Sequence, residues 1–542
     1  MIRLKPSDMN RFLAVLLIAA TASPAQAGDF ISDRFSRKIE ARQVKVRDVE
    51  GIEQHITEGK LHLHLHEFLE LLLKNSTTIQ ITRMDVYTAA DTVTAAKAPF
   101  DPTLAPSFTA QRTLSPPSPF YFTQGSFSNL NQQSTITYSQ LLPSGQTIGS
   151  SFQTYRLSGD GYTTPALFGS LNFSIIQPLM RNRTGIEARA PLTIARTQLN
   201  ITTELSESTI GEAVAQAAQQ YWQAILARDA IHVQEQALAL AQKANERDKR
   251  ALELGAISRL DIYQSEAQVA DSQRNLVQAQ HQYTAALDGL RRLIGADLTP
   301  GFRAMEIVLE DDASAMPSQN DILPFEVALS KALGARPEAQ IADQQLSIDE
   351  LNAKVSRQMF LPKLDLQVNG GSSGPAANFG ATGAVYPGLS DTLRQVLGFN
   401  YPSYGLSVNM NIPLRNSTAQ GALADSLVSK TRHTYQKRQT QEQIILDVRQ
   451  AINAIDLAKA TIQAAITARD FASKNVEAEQ QKFELGTILV FELLDSQTKL
   501  AASESALSAA YVNYQEAYVS YQRAAWTLLN GFGFVIEKPQ VR

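Results

Sequence analysis

Two periods alternate along the chain, and their order recurs. Leu61-His62-Leu63-His64-Leu65-His66 alternates like a strand, but Phe68, Leu69, Leu72 and Leu73 then repeat at helical spacing. The spacing predicts a helix over roughly 65–98, ended by Pro99 and Pro102. Residues 103–178 turn rich in Pro, Gly, Ser, Thr and aromatics. Alternating runs at Thr135–Tyr138, Thr147–Phe152 and Leu171–Ile175 predict strands, with turns at Pro143-Ser144-Gly145 and Ser158-Gly159-Asp160-Gly161. A helical pattern rich in Ala, Gln and Glu follows from about 185 to 254, breaks at Gly255 and resumes over 257–294. Residues 296–321, with Pro300, Gly301, Glu310-Asp311-Asp312 and Pro317, read as a linker. Beyond it the pattern restarts. It predicts a helix over about 323–359, a Gly-rich strand region over 363–413 and a helix from about 415 to 485. Gly486 breaks this helix, and a last one ends near Leu529.

The recurrence is visible in residues. Phe100-Asp101-Pro102-Thr103-Leu104 matches Phe360-Leu361-Pro362-Lys363-Leu364, and Gln177-Pro178-Leu179 matches Ile412-Pro413-Leu414. Glu253-Leu254-Gly255 with Ile257, Ser265 and Tyr283 matches Glu484-Leu485-Gly486 with Ile488, Ser496 and Tyr514. Three matches in one order argue for an internal duplication. The expected division is an N-terminal linker 28–60, a first repeat 61–295, a linker 296–321, a second repeat 322–531 and a tail 532–542.

Lengths constrain the packing. Each long helix, roughly 70 residues, spans roughly 105 Å, and the two short helices of each half add to nearly the same length. Laid end to end they can run antiparallel beside the long one, with strands at one end and Leu-Gly tips at the other. Such narrow rods need neighbours. About four strands per chain cannot close a membrane barrel, whose smallest forms need roughly eight; three chains would supply roughly twelve. The segment Ser134–Tyr155 supplies either barrel strands or an extended external loop.

Composition narrows the class. The 542 residues carry a formal charge of -4 and no cysteine. A near-neutral balance gives no footprint for nucleic acid, and without cysteine there are no disulfides or thiolate sites. Residues 1–27 read as a secretory signal: Arg3, Lys5 and Arg11, the apolar run Phe12–Ala22, then Ala25-Gln26-Ala27. The run is short for a membrane span, and no cysteine follows it to take a lipid anchor. The mature chain is expected to start at Gly28 and to enter an outer membrane only as strands.

With these residues in hand the chain resembles the TolC family of outer-membrane efflux and secretion channels. The resemblance covers about 61–531 and rests on the duplicated helix–Pro–strand order, the Pro-Leu joints and the two Leu-Gly tips. It implies a mainly α fold with a β-barrel part. A transmembrane β-barrel shared by a homotrimer in outer-membrane lipid would continue into a long antiparallel α-helical coiled-coil barrel crossing the periplasm. It implies no catalysis and no cofactor. The partners would be a periplasmic adaptor (membrane fusion) protein and an inner-membrane pump or ABC exporter, which sets most of the cargo specificity.

Carried onto this sequence, the family's acidic entrance ring falls on Glu492 and Asp495, three apart on the helix after the second tip. Three copies of each would concentrate cations, repel anions and bind blocking multivalent cations. The plainer alternative is two solvated acids favoured by the helix dipole. Asp261 matches a latch acid, but its usual basic partner falls at Ile488, which cannot pair; Arg259 is the nearby substitute. Phe483 stands where the family often has a gate tyrosine, and a packed coiled-coil aromatic explains it equally well. Leu254, Gly255, Leu485 and Gly486 would dock the adaptor as well as cap helices.

Other signals are weaker. His62, His64 and His66 can share a face for a metal, but only Glu67 lies nearby in sequence, so a polar face is the simpler reading. His232, His281 and His433 read as surface positions. No hydrolase, zinc-protease or phosphate-loop motif is present. The competing class is an exported coiled-coil structural or adhesive protein of the cell envelope, which would not explain the duplicated strand blocks.

Overall fold

Residues that break the backbone pattern set the frame of this chain. The structure is a computed structural model. It describes residues 45–46, 48–116, 126–159, 165–254, 258–316, 322–374, 378–380, 383–385, 388–485, 487–488 and 490–534. The expected signal peptide lies outside these residues. The unit Glu50–Arg542 opens with β1 (Ile56–Thr57), β2 (Lys60–Leu63), α1 (Leu65–Asn75) and α2 (Thr77–Ala95). Four strands follow: β3 (Thr103–Ser115), β4 (Phe127–Leu141), β5 (Thr147–Gly159) and β6 (Ala166–Pro178). Next come α3 (Ile186–Glu253), α4 (Arg259–Leu293) and β7 (Ile307–Leu309). The second half holds α5 (Phe325–Ala335), α6 (Pro337–Gln358), β8 (Lys363–Gly374), β9 (Asn378–Gly380) and β10 (Gly383–Val385). It ends with α7 (Leu389–Leu397), β11 (Pro402–Asn411), α8 (Ser417–Glu484) and α9 (Val490–Ala524).

Helix lengths match between the halves. The long helices α3 and α8 have 68 residues each, α4 and α9 have 35 each, and α1 and α5 have 11 each. The two single entry helices expected from periodicity are each split. The first breaks at Ser76, whose extended backbone (φ -60°, ψ 121°) leaves the helix. Asn75 beside it exchanges two hydrogen bonds with the Glu50 backbone, at 3.0 and 2.9 Å, so the polar run holds the N-terminal arm instead of continuing the helix. The second breaks at Arg336, because the following Pro337 disfavours helical backbone there.

The strand count also differs from the expectation of about four. Six strands form one antiparallel sheet in the order β11-β8-β6-β5-β4-β3. The segment Ser134–Tyr155 is therefore part of this sheet and not an external loop. Its turn docks on the entry to α3. There Gly185 has φ +67°, and a Cβ would lie 2.2 Å from the Pro143 carbonyl oxygen, so only glycine fits. Below the sheet the two halves are tied at their joints. The Leu179 N–H donates to Leu364 O at 2.7 Å. Asn416 caps α8 by accepting from the Ala419 N–H at 3.1 Å and donates to Met359 O at 2.7 Å.

The short helices lie along the long ones, as their lengths require. Helix α3 packs on α2 and α4, α8 packs on α6 and α9, and α3 also packs on α6 and α9. Ile444, Val448 and Ile455 of α8 and Tyr514 and Tyr521 of α9 form one buried seam. Where α3 meets α9 the contact is polar: Gln219 donates to Ser520 at 3.2 Å, Gln223 donates to Glu516 at 2.5 Å, and Arg523 pairs with Glu212. A small sheet, β1-β2-β7, joins residues from both stretches read as linkers, with β2 and β7 parallel.

Candidate functional site

Strand alternation gives the six-stranded sheet two chemically distinct faces. The register places Phe108, Ile136, Phe152, Phe173, Val368 and Leu406 on one face, one from each strand. Phe108 and Leu406 on the two edges are 67% and 69% exposed. The opposite face presents Thr109, Thr135, Gln153, Asn172, Gln367 and Ser407. Among the described strand residues its charges are confined to one pair, Lys363 and Asp365 at 3.3 Å, at the end nearest the helices. An apolar band this wide is unstable against water and matches the outer surface of a membrane barrel, with the hydroxyl and amide face turned inward.

At the far end of the long helices stand the two tips. Leu254 and Leu485 end α3 and α8 and are 85% and 78% exposed. Their neighbours Gly255 and Gly486, and the side chains of Arg259 and Asp261, lie outside the described residues. Glu492 and Asp495 are exposed at the start of α9. Asp495 is engaged by Lys499 at 2.6 Å, one turn along the same helix. Phe483 is half-buried against Ala244 of α3 and Leu494 of α9, and the Arg247 guanidinium stacks 4.0 Å from its ring centroid. The ring thus pins the second hairpin to the first. Sequence reasoning missed Arg247. Aligning the two Leu-Gly tips sets it against Ala478, so comparing the expected repeats hides it.

The family model described as outer membrane efflux protein matches residues 183–296 and 328–525, together more than half of the chain. The chain belongs to this family. Its fold is shared by solved channels of low sequence identity. The CmeC outer membrane channel of Campylobacter jejuni superposes with a TM-score of 0.62 at 12% identity, covering 90% of this chain and 94% of that one. CusC gives 0.62 at 15% identity, covering 86% and 92%. VceC of Vibrio cholerae gives 0.59 at 14% identity, covering 85% and 95%. A search of curated proteins finds no match. This outer membrane efflux protein is an outer-membrane duct that extends into the periplasm. Among the described residues no helix is long and apolar enough to cross a membrane.

The histidines of the entry segment have partners that the sequence kept far apart. Pairing of β2 with β7 brings His62 and His64 to Glu310 and Asp311. His62 Nδ1 lies 2.7 Å from Glu310 Oε1. His64 meets Glu310 Oε2 at 2.8 Å and Asp311 Oδ1 at 3.0 Å. Asp311 also accepts from the Leu65 N–H at 2.6 Å and from the Tyr221 hydroxyl at 2.8 Å. His66 turns away and stacks on Phe534 with centroids 5.3 Å apart. No group of three or more His, Asp or Glu suited to a metal occurs among the described residues; the contacts seen here join β2 to the residues after β7 as a clamp. His433, read as a surface position, is bonded to buried Asp349 at 2.5 Å.

The clamp carries a pH dependence. The hydrogen bond that the His64 ring donates to Asp311 raises the His64 pKa above its ordinary value; burial opposes this, and the charges of Asp311 and Glu310 add to the rise. A raised folded-state pKa means that the stabilisation is complete below the unfolded value near 6.5 and is lost as pH rises through the folded value. His64→Gln is therefore expected to lower the Tm more at about pH 5.5 than at about pH 8.5. Thermal melts at both pH values check this, and a gap equal at both or larger at high pH would contradict it.

Proposed function

We propose that three copies of this outer membrane efflux protein form the exit duct of a tripartite efflux or type I secretion system. An inner-membrane pump or ABC exporter delivers cargo, and a periplasmic adaptor docks on the tips around Leu254 and Leu485. Cargo enters past a constriction formed by Glu492 and Asp495. The chain's two halves, matched in element order and helix length, arose by duplication. Phe483 beneath Arg247 takes over from the latch pair that Ile488 cannot complete.

One observation carries this reading: the six-stranded sheet is open. Its edges are β3 and β11, whose exposed backbone groups cannot face lipid unpaired. Closure needs further copies. Three would give about eighteen strands, more than the twelve expected from a four-stranded contribution. Among the described strand residues the polar inward face is nearly without charge, so ion selectivity falls to the tips. Cross-linking tests the assembly, and the cysteine-free chain makes it clean. With Thr109→Cys on β3 and Ser407→Cys on β11, a flexible bismaleimide should give a ladder ending at three chains. Single chains only, or a ladder running past three, would overturn the shared barrel.

A further inference from the structure

We propose that α7, with the segment leading from it into β11, is an interfacial helix seated in the outer leaflet, and that together with Arg156 it holds a phosphorylated lipid headgroup. The proposal rests on the outer-membrane placement of the sheet.

The seat of α7 is on the apolar face. Gly169 and Gly374 are direct cross-strand partners and share that face with Phe173 and Val368. A Cβ at Gly169 would lie 2.8 Å from Thr392 Cγ2, and one at Gly374 would lie 3.1 Å from Val396 Cγ2. The helix therefore lies against a patch without side chains, on the outside of the sheet. Along β6 this patch follows Leu171 in the direction away from the helices, so α7 rides at the distal rim of the apolar band.

Burial of Thr392 and Val396 uses only one side of α7. Leu389, Leu397, Phe399 and Tyr401 stay exposed, and they run into Tyr404, which is 91% exposed on the outward face. This surface is continuous with the band already assigned to lipid, and lipid is the occupant that its chemistry fits. Aromatic and leucine side chains flanking such a band are typical of the interface between acyl chains and headgroups.

Charge points to the headgroup. Among the described strand residues, only Arg112 and Arg156 carry charge on the outward face, on the distal side of Phe108 and Phe152, with Leu114 still further along β3. Arg156 pairs across β5 and β6 with Leu167, the next residue on that face from Gly169 beneath α7. Arg394 is exposed on α7, which also carries an exposed acid, Asp391. Exposed guanidinium groups beside a lipid-facing rim suit phosphate oxygens.

Single cysteines allow a direct test. Spin labels at Leu397→Cys and Phe399→Cys would be read for access to oxygen against a polar nickel complex, in phosphatidylcholine vesicles containing lipid A. Val408→Cys serves as the membrane reference and Leu254→Cys as the aqueous one. Labels at 397 and 399 should favour oxygen, as 408 does. Arg156→Gln/Arg394→Gln should bind fluorescent lipid A roughly tenfold or more weakly. Aqueous behaviour at 397 and 399 with lipid behaviour at 408 would overturn the interfacial helix. Unchanged lipid A binding in the double variant would overturn the headgroup site. Aqueous behaviour at 408 as well would refute the membrane placement of the sheet, and the proposal with it.

Discussion

Tyr221→Ala is expected to destabilise the protein by about 3–5 kcal/mol, the range for emptying a buried aromatic site. Tyr221 is fully buried in α3. Its ring packs against Phe68 of α1 at 5.6 Å and edge-on to Trp222 at 5.8 Å. Its hydroxyl lies 2.9 Å from Leu63 O and 2.8 Å from Asp311 Oδ2. One side chain thus holds the first long helix, the entry helix and the β2–β7 sheet together. Burial, then the charge of Asp311, pushes its pKa far up, so it stays a neutral donor. Tyr221→Phe keeps the ring and removes only the hydroxyl, and should cost about 1–3 kcal/mol. Denaturant melts followed by helical circular dichroism would separate the two. Equal losses for both variants would mean that packing contributes nothing, contrary to this account.

The second large effect concerns which face meets lipid. Leu406→Arg puts a charge on the exposed apolar face of β11, where an arginine near the bilayer midplane costs about 2–4 kcal/mol per chain. Ser407→Arg, one residue on, faces the polar side and should be tolerated. Leu406→Arg is expected to be lost from the carbonate-resistant outer-membrane fraction while Ser407→Arg stays in it. The reverse sensitivity would turn the sheet inside out. Equal tolerance would remove the sheet from the membrane.

The helical frame was readable because it is written in local signals. Proline, glycine and helix-forming residues placed the bounds of α3 and α8 within a residue or two. β3 (Thr103–Ser115) was not among the predicted runs; β4 and β5 were, but whether they joined the barrel or an external loop stayed open, because Gln132, Ser134 and Thr154 dilute the apolar alternation on their outward face. Only pairing with neighbours shows that those stretches belong to the one six-stranded sheet. The breaks at Ser76 and Arg336 depended on a backbone contact from Glu50 and on a following proline, which periodicity overlooks. The clamp of His62 and His64 was invisible for another reason. Its carboxylates lie some 247 positions away, and only the parallel pairing of β2 with β7 brings them near. At the tip, Lys499 stands at i, i+4 from Asp495, a spacing that the sequence reading passed over, whereas Arg247 over Phe483 arises from packing between hairpins.

The proposed acidic entrance is the part of the duct on which its ion selectivity should depend most. Asp495 already shares its charge with Lys499, so Glu492→Gln should account for most of the effect of a double substitution. The decisive measurement is the single-channel current of the purified assembly in a planar bilayer, for wild type and for Glu492→Gln/Asp495→Asn. The account predicts a cation-selective conductance blocked by multivalent cations in the wild type, with both selectivity and block lost in the double variant. Unchanged selectivity and block would contradict an entrance at these acids, and no conductance from confirmed trimers of either protein would contradict the duct itself.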